Sequence, residues 1–282
     1  MAVRVVTDSA CDLEPERAAD LWVEFVPLKI RFGDEEFADG VDLSVTDFYR
    51  RLAASSTLPE TAAPPPGAFA QAFRGAADAG ADGVVCVNLS SGLSATMQSA
   101  QNAARAVADT IAVRVIDSRS ITHGLGSQVI AAAEAAREGQ GVDDIVALVS
   151  AMVPRTRVFG ALDTLENLKK GGRIGGAQAM LGQLLSIKPI LDISSGTVEA
   201  AARARTRKKA LRWLAHNVLD QHTVENLAVM HGGASDVENL LELLSPRYNR
   251  DAIHVGMIGP TIGTHGGPRV MGITYQVQAQ AG

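Results

Sequence analysis

The 282 residues are 46% hydrophobic, enough for a core in each of about two domains, with aromatic residues at only 4%. A formal net charge of −5 and no long basic run exclude the electrostatic footprint of a nucleic-acid or anionic-membrane binder. Cys11 and Cys86 lack metal-ligand spacing, and no apolar stretch approaches the roughly 20 residues that span a bilayer, so a protein of the reducing cytoplasm without a metal is expected.

The first half repeats one unit: a β-branched strand, a loop opening on small hydroxyl residues, then a helix. Residues 3–6 read as a strand running into Thr7-Asp8-Ser9, with a helix over 12–21. Residues 83–89 read as a buried parallel strand, and the Ala-rich segment 97–107 as helix. Residues 112–116 run into Asp117-Ser118-Arg119-Ser120, and a helix over 126–137 stops at Gly139. This alternation predicts parallel strands with helices on both faces, whose loops gather at the carboxyl edge of the sheet, where open α/β folds bind ligands. Asp8, Ser9, Ser94, Asp117 and Ser118 are therefore expected to share one crevice.

Past Pro154 the pattern changes. A strand over 158–162, a short helix over 164–170 ended by Gly171-Gly172, and a helix over 177–187 precede a hairpin in which Ser194-Ser195-Gly196 joins 189–193 to 197–200. A helix over 207–219, a strand over 226–231, a helix over 237–244, and strands over 253–258 and 272–277 complete the chain. The predicted fold class is α/β with two domains: a three-layer, parallel-sheet α/β domain over 1–155 and an α+β domain over 156–282.

Several motifs carry chemistry. Ser90, Ser91, Ser94 and Thr96, with the backbone N–H groups of a helix start, form a cradle for a phosphate or carboxylate; the plainer reading is one capping serine among solvated turn residues. Thr61 stands ahead of Pro64-Pro65-Pro66 in what reads as a stiff extended loop. The run from Lys169 to Gly176 has the glycine density of a phosphate loop but matches neither GxxxxGK[ST] nor GxGxxG. Arg203, Arg205, Arg207, Lys208 and Lys209 make a basic cluster at a helix start, either a solvated face or a docking patch for an anionic partner. His265 lies between Gly259-Pro260 and Gly267-Pro268, in a connection expected to be a rigid loop that presents one imidazole.

In this order the motifs resemble the DegV family over nearly the whole chain. The resemblance rests on Thr7-Asp8-Ser9, Pro27-Leu28, Thr61 ahead of Pro64, residues 89–94, Asp117-Ser118, Gly171-Gly172-Arg173-Ile174, Lys188-Pro189, Ala204-Arg205-Thr206 and Gly263-Thr264-His265. It implies a cytoplasmic bacterial protein of two α/β domains that buries a long-chain fatty acid between or within them, holds its carboxyl group where the domains meet, and serves as the acyl-carrying partner of a fatty acid kinase, which performs the catalysis. By the same resemblance Thr61 and Ser94 hydrogen-bond the carboxyl group and His265 lies close to it. Arg173 and Arg205 would flank the opening where the kinase docks. Thr61-Ala62-Ala63-Pro64 replaces the usual Thr-Ser-Gln-Pro, and Leu93-Ser94-Ala95-Thr96 the usual Leu-Ser-Gly-Thr; both keep the carboxyl ligands. Arg269 follows Gly267-Pro268, where the family tends to a glycine-rich run; it adds a second charge beside the head group or faces solvent. Two alternatives stand beside this reading. One is a serine hydrolase of acyl esters with Ser94 as nucleophile, His265 as base and Asp8 or Asp117 as orienter, although Gly92-Leu93-Ser94-Ala95-Thr96 lacks the second glycine of the GxSxG elbow. The other is a regulatory binder of another anionic metabolite such as an acyl phosphate.

Overall fold

The computed structural model describes residues 2–181 and 187–278. The first half runs β1 (Val3–Asp8), α1 (Pro15–Asp20), β2 (Val23–Val26), β3 (Lys29–Phe32), β4 (Glu35–Ala38), α2 (Val45–Ala54), β5 (Glu60–Ala62), α3 (Pro66–Asp78), β6 (Gly83–Asn88), α4 (Thr96–Ala106), β7 (Ala112–Asp117), α5 (Thr122–Arg137) and α6 (Val142–Met152). The second runs β8 (Thr156–Ala161), α7 (Glu166–Lys170), β9 (Lys188–Asp192), β10 (Glu199–Ala204), α8 (Arg207–Leu219), β11 (Val224–His231), α9 (Val237–Leu244), β12 (His254–Met257), α10 (Pro260–Gly266) and β13 (Met271–Val277).

The repeated unit builds a parallel sheet of order β2-β1-β6-β7. Its side chains alternate between two cores, as the period of a strand requires. Val6, Val84 and Cys86 face α3 and α4, whereas Val5, Val85 and Val87 face α5 and α6. The result is a three-layer α/β arrangement. The second half forms a mixed sheet of order β10-β9-β8-β13-β11-β12, in which only β11 and β12 pair in parallel. Helices α8 and α9 cover one face, burying Leu211, Leu214, Leu240 and Leu244. The other face, with Val158, Leu162, Leu191 and Ile193, belongs to the same apolar core as Val85, Val87 and Leu89 of the first sheet.

Three expectations change. The helix foreseen from residue 12 begins at Pro15, because residues 9–11 take a 3-10 turn closed by Asp12 in the left-handed region at φ 51°. The helix expected over 177–187 is a 3-10 segment, Gly175–Met180, and residues 182–186 lie outside the described residues. Within the connection expected to be a loop before Pro268, residues 260–266 form α10. Its N-terminal donors are met from the first half: Asp39 accepts from Thr261 N at 3.2 Å and from the Thr261 hydroxyl. Pro260 at the first helical position loses no hydrogen bond, and Thr264 closes back on Pro260 O at 2.9 Å. A small antiparallel sheet, β4-β3-β5, packs with α2 around Phe48 beside this helix.

Candidate functional site

The carboxyl edge of the parallel sheet faces the apolar side of the mixed sheet, and a cleft with an empty volume of about 880 Å³, open solvent included, lies between them. Its walls are overwhelmingly apolar, drawn from Leu28, Leu89 and Ile121 on one side and Val158, Leu162 and Leu191 on the other. Polar side chains are few: Thr61, Ser94, Thr122, Arg173, Thr261 and His265.

Thr61 and His265 meet directly, with Thr61 Oγ1 3.0 Å from His265 Nε2. Thr61 lies on β5, a three-residue strand paired with Ile30 of β3, rather than in an extended loop. His265 lies in the last turn of α10, and Asn167 Nδ2 of α7 holds the carbonyl of the preceding Thr264 at 3.1 Å. Burial, and secondarily the nearby Arg173 guanidinium, push the imidazole pKa down from 6.5 to about 4, so it is neutral at physiological pH. Its Nδ1 is buried without a hydrogen-bond partner among the described residues. The backbone of Gly171 packs against that nitrogen so closely that any Cβ there would overlap the ring. An unpaired acceptor is the less costly arrangement, which places the proton on Nε2, donating to Thr61. The Thr61 hydroxyl proton is then free to point at a ligand.

The hydroxyl-rich loop does not form the expected anion cradle. Ser90 N bonds Ser120 O, Ser91 N bonds Asp117, Leu93 N and Ser94 N fold back on Ser90 O, and Gly92 N bonds the Ser90 hydroxyl, so this backbone satisfies itself. Ser90 Oγ donates to Gly196 O and Ser91 Oγ to Asp117. Of the four hydroxyls only Ser94 lines the cleft. It accepts from Thr96 N at 3.3 Å and sits 2.8 Å from Thr96 Oγ1, which leaves its own proton for a ligand when Thr96 donates.

The crevice expected to join Asp8, Ser9, Ser94, Asp117 and Ser118 is divided among separate tasks. Asp8 is wholly buried and accepts from Ala10 N, Asn88 Nδ2 and Leu89 N, tying β1 to β6; burial raises its pKa to about 6. Ser9 bridges Asp39 and Leu28 N, Asp117 anchors Ser91 and Arg119 N, and Ser118 turns back to Ser120 O. The bonds of Ser94, His265, Asp8 and Asp117 therefore run to Thr96, Thr61, Leu89 and Ser91 respectively, and no relay of the hydrolase kind links them among the described residues.

The two arginines also differ. Arg173 lines the cleft, with Nε 3.3 Å from Leu93 O and Nη1 2.8 Å from Gly171 O, so it clasps the Ser94 loop to the turn under His265. Arg205 is exposed after β10 and is not part of the cleft wall. Arg269 pairs with Asp163 at 3.4 Å rather than reaching the cleft. Thr122 and Thr261 escape a sequence reading, and Gly171 is legible there as a helix stop but not as the seat of the His265 ring; their neighbours come from distant segments and leave no local pattern.

A family model described as uncharacterised protein, DegV family, matches residues 2–278. The chain belongs to the DegV family. A DegV domain-containing protein of Deinococcus radiodurans is 38% identical over 281 residues, covering 98% of this chain and 99% of that one. Among solved structures, a DegV family protein from Thermus thermophilus, described by its fatty acid binding, superposes with a TM-score of 0.90 at 32% identity, over 99% of this chain and 100% of that one. DegV of Bacillus subtilis, described as a fatty acid binding protein, gives 0.87 at 29% identity over the same shares. No group of three or more potential metal ligands occurs among the described residues, and no helix of the structure is long and apolar enough to cross a membrane.

Proposed function

We propose that this DegV protein buries a long-chain fatty acid in the cleft between its sheets and presents the carboxylate to a fatty acid kinase for acyl-phosphate formation. The observation that carries the reading is an apolar cleft whose few polar groups include the Thr61–His265 pair, Ser94 and Arg173. The fatty acid binding of the Thermus and Bacillus proteins supports the ligand class. Residues 1–155 and 156–282 serve as the two domains that enclose it.

The tail supplies the affinity. A saturated chain of about 16 carbons gains on the order of 10 kcal/mol on leaving water, at roughly 0.8 kcal/mol per methylene. The head group is held by hydroxyls oriented through a neutral imidazole: His265 Nε2–H donates to Thr61, and Thr61 and Ser94 donate to the carboxylate. Neutral donors leave a carboxylate oxygen free to attack a phosphoryl group, whereas a bidentate arginine clamp would occupy both. Two of the five Arg173 N–H donors, Nε and one on Nη1, are already engaged by the Leu93 and Gly171 carbonyls, which removes Nε from any clamp on a ligand. The kinase contributes ATP, Mg²⁺ and the transfer itself; this chain contributes position. Exposed Arg205, beside Arg203 and Lys208, offers charge for docking.

Extraction of the purified protein, followed by mass spectrometry, tests the ligand class. Fatty acid recovered in near-stoichiometric amount is expected; folded protein with no acyl chain, and none taken up on incubation, overturns the reading.

A further inference from the structure

Two central strands of the mixed sheet present bare backbone to the cleft at the same height. On β8 and just past its end, Val158, Gly160 and Leu162 face the first sheet while Phe159 and Ala161 face α8 and α9. On β13 and the residue before it, Val270 and Gly272 face the cleft while Met271 and Ile273 point away. Gly160 and Gly272 are register partners, so the two missing side chains lie side by side. Branched or bulky side chains border them along the strands: Val158 and Thr274 at one end, Leu162 and Val270 at the other. The sheet thus carries a trough one residue pair wide.

Neither glycine is required by the fold. Neither has a positive φ, and a Cβ at Gly160 would meet nothing closer than Leu162 Cδ1 at 3.6 Å. A Cβ at Gly272 would meet Met230 O at 3.5 Å and Phe159 O at 3.6 Å, which is ordinary contact. Gly171, by contrast, is demanded by the imidazole packed against it. Glycine weakens a strand interior and there marks a place where something approaches the backbone closely. Here both glycines line the cleft. Val270 packs beside Gly266, the residue after His265, and Gly272 lies two residues farther along β13, about 6.8 Å at a rise of 3.4 Å per residue. The trough is therefore set back from the head-group site, under the path of the tail.

We propose that the Gly160–Gly272 pair determines the length of acyl chain accepted: the chain passes over bare backbone at this point, and side chains there would end the cleft early. The inference rests on the fatty-acid reading and adds to it the residues that select among fatty acids. The test uses full-length protein stripped of lipid, as wild type, Gly160→Val, Gly272→Val and the milder double variant Gly160→Ala/Gly272→Ala. Each is incubated with an equimolar mixture of lauric, myristic, palmitic and stearic acids, and the bound fraction is identified by mass spectrometry. The variants should shift toward lauric and myristic acids, with a change of about tenfold or more in the ratio of short to long chains for the valine forms, as expected if only a few methylenes are displaced. Melting temperatures without ligand should be equal to or above that of the wild type for the alanine form, because Gly→Ala at an unstrained position restricts the unfolded chain. Unchanged profiles in all variants, or equal weakening for all four acids, would overturn the proposal. A wild type that binds none of the four overturns the fatty-acid function itself, an outcome distinct from a wild type that binds and variants that bind alike.

Discussion

Thr61 and His265 stand 204 positions apart in the chain and 3.0 Å apart in space. Their hydrogen bond joins a three-residue strand of the first half to a seven-residue helix of the second, at the edge of the apolar cleft. On the proposed function, the contact that holds the head group is thus also one that ties the two halves together.

Removing a hydroxyl at this site should weaken ligand binding without changing the class of ligand. Ser94→Ala and Thr61→Val each delete one donor to a buried carboxylate, with an expected loss of about 1–3 kcal/mol in fatty-acid affinity. Thr61→Val should be the more damaging because it also leaves His265 Nε2 unpaired. Calorimetric titration of lipid-free protein reads both; affinities equal to wild type in both variants contradict the head-group assignment.

The low basicity of His265 has a consequence for acid stability. The unfolded imidazole takes up its proton near 6.5 and the folded one near 4. Between those values the unfolded state holds more protons, so this residue's contribution falls as pH falls through that window and is constant above it. Asp8, raised to about 6, acts in the opposite sense, and so a difference measurement is needed. The stability gap between wild type and His265→Asn should narrow between pH 6.5 and 4; a gap independent of pH means that His265 is not held neutral by burial.

Gly171→Ala should move His265 although Gly171 is not itself part of the cleft wall. The added methyl would overlap Nδ1 and crowd Asn167 O at 3.1 Å, and overpacking of this kind costs about 1–3 kcal/mol. Loss of fatty-acid affinity comparable to that of Thr61→Val is expected. Full affinity would show that the imidazole can shift without consequence.

Much of the fold is legible because it is local. β-branched runs followed by Ala-rich segments give the parallel sheet and its helices, and the 207–219 and 237–244 helices coincide with α8 and α9. What escapes is structure made by distant partners. Strand β5 exists because Thr61 pairs with Ile30, and α10 because Asp39, 222 residues away, meets Thr261. Around Ser94 the sequence shows the right hydroxyl but not that its neighbours are consumed by Gly196 and Asp117. The hairpin of β3 and β4 did carry a signal, Gly33-Asp34 between alternating side chains, as did α2, with Ser44 accepting from Asp47 N.

Arg173 and Arg205 should part company. Arg205→Ala leaves the cleft intact, so fatty-acid binding should match wild type while acyl-phosphate formation by a cognate kinase falls, since a misplacement of about 1 Å can cost roughly a hundredfold in rate. Arg173→Ala should lower both, because it also releases Leu93 O and the turn beneath His265. Equal, proportionate losses of binding and turnover in both variants would show that Arg205 acts on the pocket rather than on a docking surface.

The crystal structure of lipid-stripped protein reloaded with palmitic acid tests the central claim most directly. The account predicts the tail between the sheets over Gly160 and Gly272, and carboxylate oxygens within hydrogen-bonding distance of Thr61 Oγ1 and Ser94 Oγ. A carboxylate bound elsewhere, or a tail lying outside the cleft, would contradict it.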